Sequence, residues 1–466
     1  MSSDQPLDVI VIGAGPGGYI AAIRAAQLGL NAAIVEREFV GGTCLNVGCI
    51  PSKALLDATH LFAEIRHASA FGIKVEGAEV DFVAMQKHKA KTVKMLTGGV
   101  RSLLKKHNVR VHEGEARFVG PGRVEVAAAS GETEVLQAPN VIIAAGSTEA
   151  ELPPVPFDGD RVVSSRGALD FEAVPDRLVV VGGGYIGLEM GSVYSRIGSE
   201  VIVLEMMDRI LPEMDAELAD TAHKLLAGQG LDIRLGARVT GVRTTEAGAV
   251  VKCSIGDDEV EIEADKVLVS IGRRPATADL NLDAVGIETD DRGFITVDHG
   301  MRTGSPGIYA IGDVVSTPML AHVAMDEGVV AAECVAGQTS AMEYHAIPAV
   351  VFTHPELASV GLREDEAAMR EGEIKVGRFP FRGNGRARAR NDVEGWVKII
   401  ADAATDEILG VHCVGAEAGH LIHEAVVAMG YHGYAEDLAL TVHAHPTLSE
   451  AFKEAALAVE DRALHI

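Results

Sequence analysis

Short runs of β-branched residues alternate with longer stretches of helical spacing along much of the chain. Leu7-Asp-Val-Ile-Val-Ile12 is an apolar run of strand length that stops at a glycine cluster, Gly13-Ala-Gly15-Pro-Gly17-Gly18. An Ala-rich segment with helical periodicity continues to Leu28, where Gly29 supplies a stop signal. Asn31-Ala-Ala-Ile-Val-Glu36 then reads as a second strand ending in a carboxylate. The same order returns at Leu178-Val-Val-Val181, Gly182-Gly-Gly184-Tyr-Ile-Gly187, a helical stretch, and Val201-Ile-Val-Leu-Glu205. Gly13 to Glu36 and Gly182 to Glu205 span the same 23-residue interval.

Strand, G-x-G-x-x-G turn, helix, strand and acid together make the dinucleotide-binding βαβ unit. Gly13 and Gly182 allow the tight turn, Gly15 and Gly184 let backbone approach a pyrophosphate, and Gly18 and Gly187 let helix pack on strand. The pyrophosphate meets the positive end of the helix, and the acid accepts from ribose hydroxyls. One such turn is weak evidence, because a structural Gly-rich turn looks alike. Two copies with matching acids predict two bound dinucleotides. Glu205 would repel a 2′-phosphate, so the second copy is expected to take NAD.

Val141-Ile-Ile-Ala-Ala-Gly146 reads as a strand leaving the first sheet, and Gly307-Ile-Tyr-Ala-Ile-Gly312-Asp313 as one returning to it. Asp313, at a strand's carboxyl end, is placed to meet sugar-like hydroxyls, unless it is an ordinary turn residue. Breaks at Leu152-Pro-Pro-Val-Pro156, near Gly272 and near Ile347-Pro348 divide the chain. The expected fold class is α/β: two Rossmann-like dinucleotide-binding domains (1–149 and 150–275), a central segment (276–346) and a C-terminal α+β dimerisation domain (347–466).

Composition narrows the functions. The 466 residues are 47 % apolar and 23 % charged, with a net charge of −26. That field repels phosphate backbones and anionic lipid, and 4 % aromatic residues make no stacking platform, so nucleic-acid binding is not expected. No apolar stretch approaches the roughly 18 residues of a membrane span, so no membrane insertion is expected. The start, Met1-Ser-Ser-Asp-Gln-Pro, lacks the basic opening of a leader, which gives the expectation of a cytoplasmic protein. One basic island, Arg382 to Arg390, reads as a solvated loop neutralising its surroundings or as a subunit contact.

Cys253, Cys334 and Cys413 are scattered, whereas Cys44 and Cys49 are close. Residues five apart in a regular helix have Cα atoms about 8.6 Å apart. A disulfide wants roughly 4.4–6.8 Å. A bridge therefore needs a distorted turn, which Gly48 and Pro51 can provide. Outside a secretory context such a pair points to redox chemistry. Two core thiols are the alternative, and metal ligation lacks a second Cys/His pair. Lys53 shares a helix face with Cys49 if the helix is regular, where a cation lowers a thiol pKa, or it is a surface lysine.

Gly-Gly-Thr-Cys44-Leu-Asn-Val-Gly-Cys49-Ile-Pro-Ser-Lys53 resembles the active-site signature of the dihydrolipoamide dehydrogenases, within the flavin- and pyridine-nucleotide-dependent disulfide oxidoreductases. The likeness continues at Gly312-Asp313, Pro318-Met319-Leu-Ala321-His322, Phe352-Thr-His-Pro-Glu356 and His443-Ala-His445-Pro-Thr-Leu-Ser-Glu450. It implies FAD on the first βαβ unit, with Gly146, Asp313, Met319 and Ala321 among its contacts, and NAD on the second, with Gly272 nearby. It implies Lys53 paired with Glu189 beside the flavin, where the sequence alone shows a helical Glu. It also implies a homodimer in which one subunit's C-terminal domain completes the other's active site. His445 is then the catalytic base and Glu450 orients it. Read without the resemblance, Thr447-Leu-Ser-Glu450 is a capping box with Glu450 on a backbone donor. The implied partner is a lipoyl-bearing acyltransferase or glycine-cleavage carrier protein. Two positions depart from the pattern: Ala145, where a Thr is usual, and His420, where an acid is common.

Overall fold

The computed structural model describes residues 6–466; the leader reading falls largely on residues 1–5, outside the described residues. The chain folds into two compact units. One holds the described residues up to Ala54 together with Gln86–Ala150 and Gly272–Glu343, and the other holds Leu55–Met85, Glu151–Ile271 and Tyr344–Ile466.

In the first unit the parallel sheet runs in the order Ile308–Ala310, Asn140–Ile143, Val9–Ile12, Ala32–Glu36, Arg110–Glu113. Its central strand is buried at every position, as a strand covered on both faces must be. Ile10, Ile12, Val35 and Val141 pack with Phe118 and Val124 of a three-stranded antiparallel sheet. The alternate residues Val9, Val11, Ile34 and Ile142 are just as buried. Helices Pro16–Gln27 and Ala321–Val335 pack on each other so tightly that a Cβ on Gly17 would lie 2.7 Å from the Ala324 carbonyl oxygen.

The second unit repeats this plan. Its parallel sheet runs Leu231–Arg234, Glu200–Leu204, Arg177–Val181, Lys266–Val269, Val162–Val163, again with a three-stranded antiparallel sheet beside it. Its C-terminal part is a five-stranded antiparallel sheet, Pro348–Val351, Glu356–Gly361, Ile408–Gly415, Trp396–Asp402, Ile374–Pro380. Helices Ala418–Gly430 and Glu450–Ala458 share its core, through Ile422, Ala425, Phe452 and Ala455.

A buried ionic cluster ties the parts of this unit together. Asp215 caps helix Ala216–Gly228, and the Lys398 ammonium, 1 % exposed on the antiparallel sheet, reaches it at 2.6 Å and Glu364 at 2.9 Å. Burial works against the Asp215 carboxylate, but Lys398, His412 and the Glu364 N–H hold its pKa below the usual range. Burial pushes the His412 imidazole down to about 4, against the pull of Asp215. His412 is thus neutral when folded and protonates at about 6.5 when unfolded. Stability is expected to fall as pH drops from about 6.5 to about 4, with the Asp215 contribution lost below that. Thermal melts between pH 7 and pH 4.5 check this: His412→Asn should flatten the decline by about one proton, roughly 1.4 kcal/mol per pH unit.

Candidate active site

Both glycine turns obey one geometry. Gly13 and Gly182 adopt φ of 100° and 108°, open to glycine and strained for other residues. A Cβ on Gly18 would collide with the Gly13 carbonyl, and one on Gly187 with that of Gly182. The middle glycines differ in kind. A Cβ on Gly15 meets nothing nearer than Gly42 Cα at 4.0 Å, and one on Gly184 meets nothing within 4 Å. These two, the N-caps of helices Pro16–Gln27 and Tyr185–Arg196, keep clear a space the protein itself does not use. An open space at a helix N-terminus fits a pyrophosphate in both turns.

The two acids also behave alike. Glu36 accepts the Ala14 N–H at 2.6 Å and the Glu38 N–H at 2.8 Å. Glu205 accepts the Gly183 N–H at 2.6 Å and the Met207 N–H at 2.7 Å. Each carboxylate thus holds the glycine turn, and its remaining lone pairs are the acceptors a ribose needs.

The cysteines sit on two short helical pieces. Gly42–Val47 carries Cys44, and Cys49 opens the helix Cys49–His67. Gly48, at φ −147° and ψ −115°, makes the break alone. The expected contribution of Pro51 is corrected here: it lies in the first helical turn, where a missing N–H costs nothing. Asn46 braces the first piece by donating to Gly42 O at 2.8 Å. The cysteines are thiols, Cys44 half-buried and Cys49 exposed, joined by a hydrogen bond. That bond, then burial, then charge on Cys49 push the Cys44 thiol up, while Lys53 works in the opposite direction.

Asp313 follows the strand Ile308–Ala310 and accepts from the Ser147 hydroxyl, which in turn accepts from Arg273 Nε at 2.7 Å. Gly146 and Gly272 flank the paired strands Ser147–Glu149 and Arg273–Pro275. Met319 is half-buried, and Ala321 opens helix Ala321–Val335. Glu327 on that helix, wholly buried, accepts the Gly312 N–H at 2.6 Å and the Thr317 hydroxyl at 2.9 Å. It anchors the turn that presents Asp313, and the sequence reading missed it. Its signal was a carboxylate within a run of small apolar residues.

In the second unit, Glu189 is 3 % exposed and accepts the Phe352 N–H at 3.0 Å. His445 Nδ1 lies 2.9 Å from Glu450 Oε1, while Glu450 Oε2 accepts the Thr447 N–H at 2.9 Å. The expected capping box is corrected here: the helix is capped at Ser449 and the Thr447 hydroxyl turns to Ala444 O, so only the Glu450 contact to the Thr447 N–H remains of it, beside the contact to the His445 ring. Burial opposes its charge, but the Thr447 N–H and the His445 ring outweigh it and hold its carboxyl below the usual range. Within the basic island, Arg390 pairs with Glu417, while Arg382, Arg386 and Arg388 are exposed.

A chain with two nucleotide cradles and a hydrogen-bonded thiol pair is built as a two-nucleotide disulfide oxidoreductase. Residues 7–328 match the family described as Pyridine nucleotide-disulphide oxidoreductase, and residues 347–456 match its dimerisation domain. The chain is 49 % identical to the mitochondrial dihydrolipoyl dehydrogenase of Pisum sativum, over 100 % of this chain and 94 % of that one. It is also 49 % identical to dihydrolipoyl dehydrogenase 3 of Pseudomonas aeruginosa, over 99 % of each. The crystal structure of LpdA from Mycobacterium tuberculosis superposes with a TM-score of 0.90 at 30 % identity, covering 97 % of this chain and 99 % of that one. The chain belongs to the pyridine nucleotide-disulphide oxidoreductases and, within them, to the dihydrolipoyl dehydrogenase family. The cofactors of that family are FAD and NAD(H).

The middle and last glycines of the second turn should respond differently to substitution. Gly184→Ala is expected to melt like the parent and to lose about tenfold or more in NAD affinity by calorimetry. Gly187→Ala, which forces Cβ onto a carbonyl, should cost about 1–3 kcal/mol of stability in denaturant.

Proposed function

We propose that this enzyme oxidises protein-bound dihydrolipoamide to lipoamide and reduces NAD⁺ to NADH, as a component of 2-oxoacid dehydrogenase or glycine-cleavage assemblies. The observation that carries the reading is the thiol pair across Gly48, in a chain with two nucleotide cradles. In this reading residues 1–149 form the FAD domain, 150–275 the NAD domain, 276–346 the central segment and 347–466 the interface domain. FAD rests on Gly13, Gly15, Gly18, Glu36, Lys53, Gly146, Glu189, Asp313, Met319 and Ala321, and NAD on Gly182, Gly184, Gly187, Glu205 and Gly272. When bound, FAD supplies the two-electron link between the thiol pair and NAD⁺.

The chain's own residues handle sulfur and protons. His445 Nδ1 is engaged by Glu450, so Nε2 is the atom left to take a proton from a substrate thiol. The thiolate attacks the sulfur of Cys44 in the oxidised enzyme, the Cys44–Cys49 bond breaks, and Cys49 keeps the electron pair. The second substrate thiol then attacks the substrate sulfur bound to Cys44, and Cys44 leaves with the electron pair and takes up that thiol's proton, while the first proton stays on His445 and Cys49 remains a thiolate. The substrate leaves as its disulfide, and the cysteines are reduced by two electrons.

The dimerisation domain supports a homodimer. We place the His445 that serves each thiol pair on the second copy. Its ring is 77 % exposed, and nearby Val442 and Leu440 are 91 % and 70 % exposed, apolar surface that needs a cover. A lipoyl-bearing acyltransferase or glycine-cleavage carrier protein is the proposed delivery partner. No helix among the described residues is long and apolar enough to cross a membrane. We place the enzyme in the cytoplasm, where scattered cysteines such as Cys253, Cys334 and Cys413 build no disulfide framework.

Cys44→Ser and Cys49→Ser should each abolish NADH formation from dihydrolipoamide while the protein remains yellow; unchanged turnover would reject the disulfide relay. Val442→Asp should shift the protein toward monomer in analytical ultracentrifugation and lower dihydrolipoamide turnover in proportion. A fully active monomer would remove the second copy from the site.

A further inference from the structure

His445 stands on an irregular segment between the helices Ala435–Leu440 and Glu450–Ala458. An exposed ring on a loop holds one position only if the loop is braced. One brace is already described: the Thr447 N–H is bound to the Glu450 carboxylate that also meets the ring. The other comes from far along the chain. Asn384 Nδ2 donates to the Thr447 carbonyl oxygen at 2.9 Å, across 63 residues of sequence.

Asn384 is 3 % exposed, and its side-chain amide is hydrogen-bonded at both ends. Its Oδ1 accepts the N–H groups of Arg386 and Ala387, both at 3.0 Å, which caps the short helix Gly385–Arg390. Two N–H donors on one side identify the oxygen, so the amide nitrogen must face Thr447. Thr447 is thereby held on both sides, its N–H by Glu450 and its carbonyl by Asn384. The Thr447 hydroxyl closes the loop on itself by donating to Ala444 O at 2.7 Å. The base and the acid that orients it thus hang from a strut rooted in the Phe381–Gly383 turn and the helix that follows.

We propose that Asn384 is a positioning residue for the reaction, fixing the loop that carries His445 so that its Nε2 meets the substrate thiol. The inference rests on the reading of His445 as proton acceptor. Thiol deprotonation is sensitive to placement, and a shift near 1 Å at a reacting group costs up to about a hundredfold in rate.

Two variants of the full-length, FAD-loaded enzyme separate positioning from folding. Asn384→Ser keeps a side-chain oxygen at the helix cap but is too short to reach Thr447. Asn384→Asp keeps the length and the cap, and turns a lone pair toward the Thr447 carbonyl where a donor stood. Dihydrolipoamide oxidation is measured beside NADH oxidation by ferricyanide, which needs no thiol to be deprotonated. Both variants should lose roughly ten- to hundredfold in dihydrolipoamide kcat, with KM within about twofold and the ferricyanide rate unchanged. Parental dihydrolipoamide turnover in either variant would overturn the proposal, and so would an equal loss in both activities. His445→Gln, assayed alongside, distinguishes the two failures. If it too turns over normally, the His445 reading falls; if it alone is inactive, only the role of Asn384 does.

Discussion

Two sulfur atoms five residues apart can meet only where the helix between them is interrupted. That constraint organises the first unit. Gly48 supplies the interruption with a backbone conformation outside the helical region, and Asn46 keeps the preceding piece from unwinding. The result is a thiol pair whose members share one hydrogen bond and feel each other's charge. Cys49 pushes the Cys44 thiol up, and Lys53 draws the other way. The same proximity that lets the pair form a bond when oxidised therefore sets how its protons are divided when reduced.

The duplicated βαβ plan shows how much a local pattern carries. Turn, helix and acid lie within about two dozen residues, and their partners are one another: the last glycine packs on the first, and the acid holds the turn. Sequence spacing alone therefore predicts them. The break between the cysteines was half readable, since the distance requires a distortion but not which residue makes it. Pro51 looked equal to Gly48 until its place in the first turn of a helix was seen. Glu450 could be read as cap or as orienter because both follow from the same spacing, and a carboxylate has two oxygens to give.

What escaped the sequence are the braces whose partners are remote or unremarkable. Glu327 acts on backbone 15 residues earlier, and Asn384 on a carbonyl 63 residues later. Asn384 binds only main chain, and Glu327 adds to its backbone contact only the hydroxyl of Thr317, so neither has a charged partner to notice. Lys398 with Asp215 escaped for its remoteness alone, a buried cation on one sheet meeting a helix cap from another part of the second unit. Glu327 and Asn384 hold the segments on which Asp313 and His445 stand, which the motifs only supply.

The middle glycines, with nothing of the protein pressing on them, carry a consequence for inheritance. A lesion that destabilises a chain lowers its abundance, because quality control removes the unfolded product. A lesion at Gly15 or Gly184 spares the scaffold and empties only the cradle. Such a polypeptide would persist, pair with healthy copies and take up their places, so a single altered allele could poison a mixed population of subunits.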